Sequence, residues 1–349
     1  MPKKSAQSSK RSWKSDKKAI ILRRKVLRTI SISLLVLISF TFLLGYFSYK
    51  SLTVSFASAA GSDSFDLVNH DIFTVSLISI NNLDSNPIVT RKTSVFIYDI
   101  DAKKVLRYDI PLNHMLDVPG KFGEESVSKV FALGYTQNQD IMSGVDLVNS
   151  SIKKLIGINV DRYVLTYGDF DREVYEILNG KNPLEYVSFD TIKNLGLKFK
   201  TNLSLSELSH ISSFASSLSK DDFISGFEAY DENIRELTFD SEIAIEKKNI
   251  AILNGSEISG VAWYGKRIAE NMGIRVIASG NASGKYDESV IVTDSLASET
   301  LGYLKRFFEI NKVILKENSE IEELLRNNEG VVNRADITII IGLDKAKNL

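Results

Sequence analysis

The chain has no cysteine, which excludes disulfides, thiol catalysis and zinc sites of the cysteine type. Its three histidines, His70, His114 and His210, are scattered and set no metal-ligand spacing. An oxygen-ligated metal stays open. Five prolines exclude a proline-rich stalk. There is no Walker A loop, no Gly-x-Ser-x-Gly elbow, no His-Glu-x-x-His helix motif and no Rossmann glycine fingerprint. No internal repeat is present. What remains is ordinary globular composition, 44% hydrophobic and 25% charged, long enough for two soluble domains.

Charge is also missing from one stretch, Ile30–Phe47, ISISLLVLISFTFLLGYF. Its eighteen residues would cover about 27 Å as a helix, close to a hydrocarbon core of about 30 Å. Eleven of the 43 Lys and Arg precede it, against one acid, Asp16. The expected arrangement is a retained membrane anchor with the basic flank in the cytoplasm and the acid-rich bulk outside. A cleaved signal peptide is the alternative, because Ala57-Ser58-Ala59 resembles a small-residue cleavage site. The acidic exterior argues against nucleic acid as a partner.

The expected organisation is a basic tail (1–29), the anchor (30–47), a Ser- and Ala-rich spacer (48–70), a first domain (71–235), a linker (236–248) and a second domain (249–344). The fold class is α/β. In the first domain, strands are expected at 73–80, 94–100 and 105–110, the last two forming a hairpin around Asp101-Ala102-Lys103-Lys104. An irregular stretch follows, marked by Pro119-Gly120 and Gly123. Asp140 is expected to cap a helix to Ile156 that Gly157 ends. A strand at 160–165 and a helix at 171–178 come next. Ser204-Leu205-Ser206-Glu207 reads as a capping box. The second domain alternates strand and helix, with nearly continuous apolar strands at 250–253, 274–278, 290–293, 312–315 and 337–342. That pattern implies a mostly parallel sheet covered on both faces. Its helices are expected at 258–272 and 296–308.

Chemistry-bearing residues are few. Arg91, Arg107 and Arg162, with Arg172, are candidate anion ligands, because guanidinium suits phosphate; the plainer reading of each is a surface arginine. Asp99 and Asp109, with Asp101, are candidate carboxylates for Mg²⁺, or a hairpin edge guarded by charge. The turn Asn254-Gly255-Ser256 sits at a strand's carboxyl end, where open α/β sheets bind ligands. It is otherwise a tight turn, with Ser256 or Ser259 capping the next helix. Asn-x-Ser triplets at Asn149, Asn202, Asn254 and Asn281 match a glycosylation pattern and are read as chance matches.

Taken in order, these features resemble the LytR-CpsA-Psr family of bacterial envelope proteins. The segment from Thr90 to Ile100 is similar to that family's Arg-Ser-Asp-Thr block leading into a strand. Lys104–Pro111 is similar to the strand that ends in Ser-Ile-Pro before an Arg-Asp pair. Leu155–Val164 resembles a helix end followed by Ile-Asp-x-Tyr-Val. Lys200–Ser204 resembles the segment near the end of the catalytic domain. Residues 249–342 resemble a LytR C-terminal domain. The resemblance implies a central mixed sheet flanked by helices and an apolar lipid groove. It also implies Arg and Asp around Mg²⁺ and a polyprenyl pyrophosphate, from which a glycopolymer passes to the cell wall.

The chain departs from the family pattern at the chemistry. Thr93 stands where the block has Asp, and Leu112 and Asn113 stand where the Arg-Asp pair is expected. The arginine-rich segment is missing too, since only Arg172 lies between Phe170 and Thr201. The reading is therefore a single-pass, extracytoplasmic cell-envelope protein with a shortened domain, acting by binding or scaffolding and without a cofactor. A cell-wall polymer or polyprenyl-linked glycan is the expected partner. The alternative is a divergent Mg²⁺-dependent transferase using Arg91, Arg162, Asp99 and Asp109. A transcriptional regulator ranks last, because the basic tail holds no helix-turn-helix.

Overall fold

The computed structural model describes residues 23, 27–28, 30–43, 45–46, 67–120, 122–168, 171–181, 199–225, 234–235, 238, 241–317, 328–347 and 349. Two compact units divide the chain, Met1–Val54 and Ser55–Leu349. In the first, residues 30–43 are helical and exposed throughout. Among the described residues no helix is long and apolar enough to cross a membrane. Leu44 and Phe47 of the expected anchor lie outside the described residues, as do nearly all of the tail and spacer.

The second unit holds two lobes, each built on a mixed sheet. The first lobe contains β1 (Ile72–Ile80), β2 (Thr90–Asp99), β3 (Lys104–Asp109), β4 (Met115–Val118), β5 (Gly123–Ser126), α1 (Val127–Asn138), α2 (Ile141–Ile156), β6 (Arg162–Tyr167), α3 (Asp171–Leu178), β7 (Phe199–Thr201), α4 (Leu205–Ser216) and β8 (Phe223–Ser225). Its six-stranded sheet runs β7-β6-β1-β2-β3-β8. β1 pairs antiparallel with β2 and parallel with β6. β4 and β5 form a separate hairpin.

Side chains alternate across this sheet and define two cores. Ile78, Val95, Ile97, Leu106 and Leu165 face α1 and α2, packing on Val130, Phe131, Val148 and Ile152. The opposite face is aromatic. Phe73 stacks on Tyr98 with centroids 4.9 Å apart, and Tyr98 donates its hydroxyl to Leu178 O at 2.9 Å. Phe214 of α4 meets Tyr98 edge-on.

Local chemistry sets the helix ends. Asp140 caps α2 by accepting from Ser143 N at 3.0 Å, and Gly157 ends it at φ 70°. The Ser204–Glu207 capping box forms as the spacing predicts. α1 fills the second half of the stretch expected to be irregular. Its N-cap Ser126 makes no side-chain cap; instead Val127 N donates to His114 O and Ser128 N to Leu112 O. A turn at residues 111–114 therefore closes on the start of α1.

The second lobe contains α5 (Ser241–Glu246), β9 (Asn249–Asn254), α6 (Val261–Asn271), β10 (Arg275–Asn281), β11 (Val290–Thr293), α7 (Glu299–Phe308), β12 (Val313–Leu315), α8 (Glu329–Val332), β13 (Ile337–Ile341) and α9 (Leu343–Ala346). The sheet order is β10-β9-β13-β11-β12, with only β11–β13 antiparallel. β9, β11 and β13 are almost entirely buried, as their apolar runs require. α6 starts at Gly260, not at Ser256 or Ser259, and α7 begins three residues later than expected, behind its N-cap Ser298.

The lobes are joined by more than chain continuity. Arg267 of α6 donates to Lys154 O and Leu155 O at 2.8 and 3.0 Å, satisfying carbonyls at the end of α2. Asn271 donates to Gly157 O at 3.1 Å. A Cβ on Gly157 would come within 2.7 Å of that amide, so the positive φ and the close approach both call for glycine. Lys153 donates to Phe307 O at 2.9 Å and lies 3.7 Å from the Phe307 ring centroid. Burial holds the Lys153 ammonium down at about 8.

Candidate functional site

The sheet register decides which candidates meet. Asp109 pairs with Ser94, whereas Asp99 pairs with Lys104 at the hairpin end. Five residues of strand separate these carboxylates along the ladder, about 17 Å. Asp99 is buried and accepts from Ala102 N at 2.8 Å in its own turn. Burial raises its carboxyl, opposed by that amide. The two carboxylates therefore do not form one metal site. Among the described residues no three His, Asp or Glu side chains gather as ligands.

Arg162 and Arg107 share a row across the sheet and the same face, with Val75 and Phe96 between them. Three strand spacings, about 14 Å, separate their backbones. Arg162 turns toward α4 and is 3% exposed. Its Nε and Nη2 donate to Glu207 Oε1 at 2.9 and 2.7 Å, and Nη1 donates to Asp161 O at 3.0 Å. Arg107 faces Asp109, Nε to Oδ2 at 3.1 Å, and its guanidinium carbon lies 5.2 Å from the Tyr175 ring centroid.

Sequence reasoning missed Lys92 and Tyr175. The Lys92 ammonium sits 3.3 Å from the Tyr175 ring centroid. Burial lowers its pKa, opposed by Asp109 and Asp171. Ser94 donates to Asp109 Oδ1 at 2.6 Å. Lys92, Ser94, Arg107, Asp109 and Tyr175 thus form one cluster, with two cations around a single carboxylate. Alternation on β2 was the available signal for Lys92 and Ser94; Tyr175 needed the tertiary fold. Arg91 is exposed at the bulge where β1 and β2 shift register, and Arg172 is exposed on α3.

Two of the three positions where the family pattern fails pack against the first core. Thr93 is 1% exposed on the face of Ile78 and Val95. Leu112 packs against the first core, and Asn113 is exposed in the turn that closes on α1.

The Asn254 turn is self-satisfied. Asn254 Oδ1 accepts from Ser256 N and Oγ at 3.0 and 2.7 Å, and Asn254 Nδ2 donates to Ile258 O at 2.8 Å. Gly255 N donates to Ile341 O, so the turn stitches β9 to β13. Asn149 and Asn202 also spend their amide oxygens internally, on Ser76 Oγ and Tyr163 N. A cavity of about 220 Å³ lies elsewhere, lined by Ile243, Lys247, Lys248, Gly273 and Arg275 among others.

No family model matches the chain, and no curated protein does. Among solved structures it is similar to the transcriptional regulator yvhJ from Bacillus subtilis, at 14% identity over 45% of this chain and 81% of that one, TM-score 0.33. A transcriptional regulator from Enterococcus faecalis aligns at 10% identity over 61% and 92%, TM-score 0.35. The LytR-CPS2A-psr family protein YwtF (TagT), with bound octaprenyl pyrophosphate lipid, aligns at 17% identity over 48% and 81%, TM-score 0.30. Likenesses this distant assign neither family nor activity to this chain.

Proposed function

We propose that this chain is a single-pass, membrane-anchored envelope protein of LytR-CpsA-Psr type that works by binding or scaffolding, not by catalysis. Its basic tail would lie in the cytoplasm and both lobes outside. An apolar helix exposed on every side at residues 30–43 needs a cover, and a bilayer supplies one. The C-terminal lobe would be the LytR-type domain.

One observation carries the non-catalytic reading: Arg162, the buried arginine of the first lobe's sheet, is committed to Glu207. Pyrophosphate cleavage builds charge on phosphoryl oxygens, which fixed cations must offset. An arginine that gives two donors to a buried carboxylate is already neutralised. Leu112 carries no group that could bind a metal or a phosphate, and Thr93 carries no charge and is buried in the first core. The transferase alternative needs Arg91, Arg162, Asp99 and Asp109 around one pocket, and the register sets Asp99 and Asp109 about 17 Å apart.

The test is turnover. The full chain in detergent, given Mg²⁺ and a polyprenyl-pyrophosphate glycan, should leave the substrate intact. Release of polyprenyl phosphate that disappears in Arg91→Ala or Arg107→Ala would overturn the non-catalytic reading.

A further inference from the structure

Trp263 is 58% exposed on α6, on a helix whose neighbours are pinned. Arg267, one turn on, is anchored by the Lys154 and Leu155 carbonyls, and its guanidinium carbon lies 6.0 Å from an indole ring centroid. Tyr264 meets Trp263 edge-on, centroids 5.0 Å apart at 77°. An indole face is thus flanked by Tyr264 and Arg267 and left open to water.

Polar groups of both signs stand beside it. Asp117 of β4 accepts from Lys154 Nζ at 2.6 Å and from the Tyr264 hydroxyl at 3.4 Å. Lys154 Nζ also lies 4.8 Å from the Tyr264 ring centroid. Three elements, β4, α2 and α6, contribute from both lobes. The surround is not cationic: Lys154 and Arg267 are engaged, and Glu124 stands directly opposite Asp117 in the hairpin, both exposed.

We propose that Trp263, with the Asp117–Lys154–Tyr264 network, binds an uncharged pyranose glycan across the seam between the lobes. The C–H face of a pyranose is flat and weakly positive, which suits the negative face of an indole. Its hydroxyls both donate and accept, and the network offers a carboxylate acceptor beside ammonium and phenol donors. With Asp117 paired to Lys154, the charge of Glu124 disfavours anionic headgroups and densely phosphorylated polymers. The proposal rests on the binding reading above and names its ligand class.

The sequence holds two tryptophans, Trp13 and Trp263. A full-length Trp13→Phe chain in zwitterionic nanodiscs therefore reports Trp263 alone. Titration with the N-acetylglucosamine tetramer or maltotetraose should give a saturable blue shift of emission. Asp117→Asn should weaken the response about tenfold, the loss of one charge-assisted hydrogen bond. No shift with either saccharide, or a shift driven only by adding anionic lipid to the discs, would overturn the site. Retention on purified cell wall separates the two readings. Equal retention of native chain and Trp263→Ala removes the site and leaves the wall-binding reading standing. Retention of neither, with the emission shift intact, removes the wall-binding reading and leaves the site.

Discussion

Arg162 gives two donors to a single oxygen of Glu207, while the other oxygen of that carboxylate accepts from Ser204 N at 2.7 Å. Burial works to raise the Glu207 carboxyl, and the Arg162 and Ser204 donors overrule it, so its pKa lies below the ordinary value. Both side chains are 3% exposed, so removing one strands a charge. Arg162→Ala and Glu207→Ala should each cost about 3–5 kcal/mol in denaturant unfolding, while a double Arg162→Met, Glu207→Leu change should cost far less. Equal losses for single and double variants would mean that the pair is not coupled. The depressed pKa places this contribution above pH 4.5, and it fades as pH falls through the folded-state value.

Glycines in two helices should respond to alanine with opposite signs. A Cβ on Gly134 of α1 would press on Ser143 O and lie 2.9 Å from Gly144 Cα, where α1 meets α2. Backbone cannot swing aside, so overpacking of roughly 1–3 kcal/mol should outweigh the gain of about 1 kcal/mol in helix propensity. Gly302 of α7 has open space at its Cβ, and Gly302→Ala should stabilise by about 0.5–1 kcal/mol. Chemical denaturation of the two variants checks both signs.

Glu246 reaches the first turn of α7 and accepts from Ser298 Oγ, Glu299 N and Thr300 N at 2.7, 2.7 and 3.1 Å. Burial pushes this carboxyl up, yet the donors hold it at about 2. Its contribution is therefore complete above about pH 4.5 and lost as pH falls toward 2. Glu246→Gln should cost on the order of 1 kcal/mol at pH 7 and flatten the acid limb of the stability curve. An acid limb identical to wild type would exclude this cap as its source.

The contacts between lobes predict cooperative unfolding. Arg267 and Asn271 satisfy three carbonyls at the end of α2. Arg267→Ala with Asn271→Ala should cost about 2–4 kcal/mol if each lost hydrogen bond costs about 1 kcal/mol. It should also split one calorimetric transition into two, because each lobe has its own core. A single sharp transition in the double variant would show that other contacts hold the lobes together.

Much of the fold was legible because it is local. β1, β2 and β3 were readable from β-branched alternation, α2 from Asp140 and Gly157, and α4 from its capping box. α1 was missed because its N-cap side chain makes no cap bond and Gly134 interrupts its interior. β7 and β8 are three residues each, too short for a periodic signal. The sites fared worse for a physical reason. Arg162 reads as an anion ligand until Glu207, forty-five residues later, reaches it. Arg267 reads as a surface charge until the end of α2 arrives beneath it. Partners this distant leave no pattern in a single sequence.

The sixteen residues of α2 make a rod about 24 Å long. One end is clasped by the second lobe, and the other begins at the Asp140 cap in the first. The two lobes therefore share one helix: its last carbonyls are satisfied by the second lobe and its apolar face by the first, so α2 cannot reorient without disturbing both.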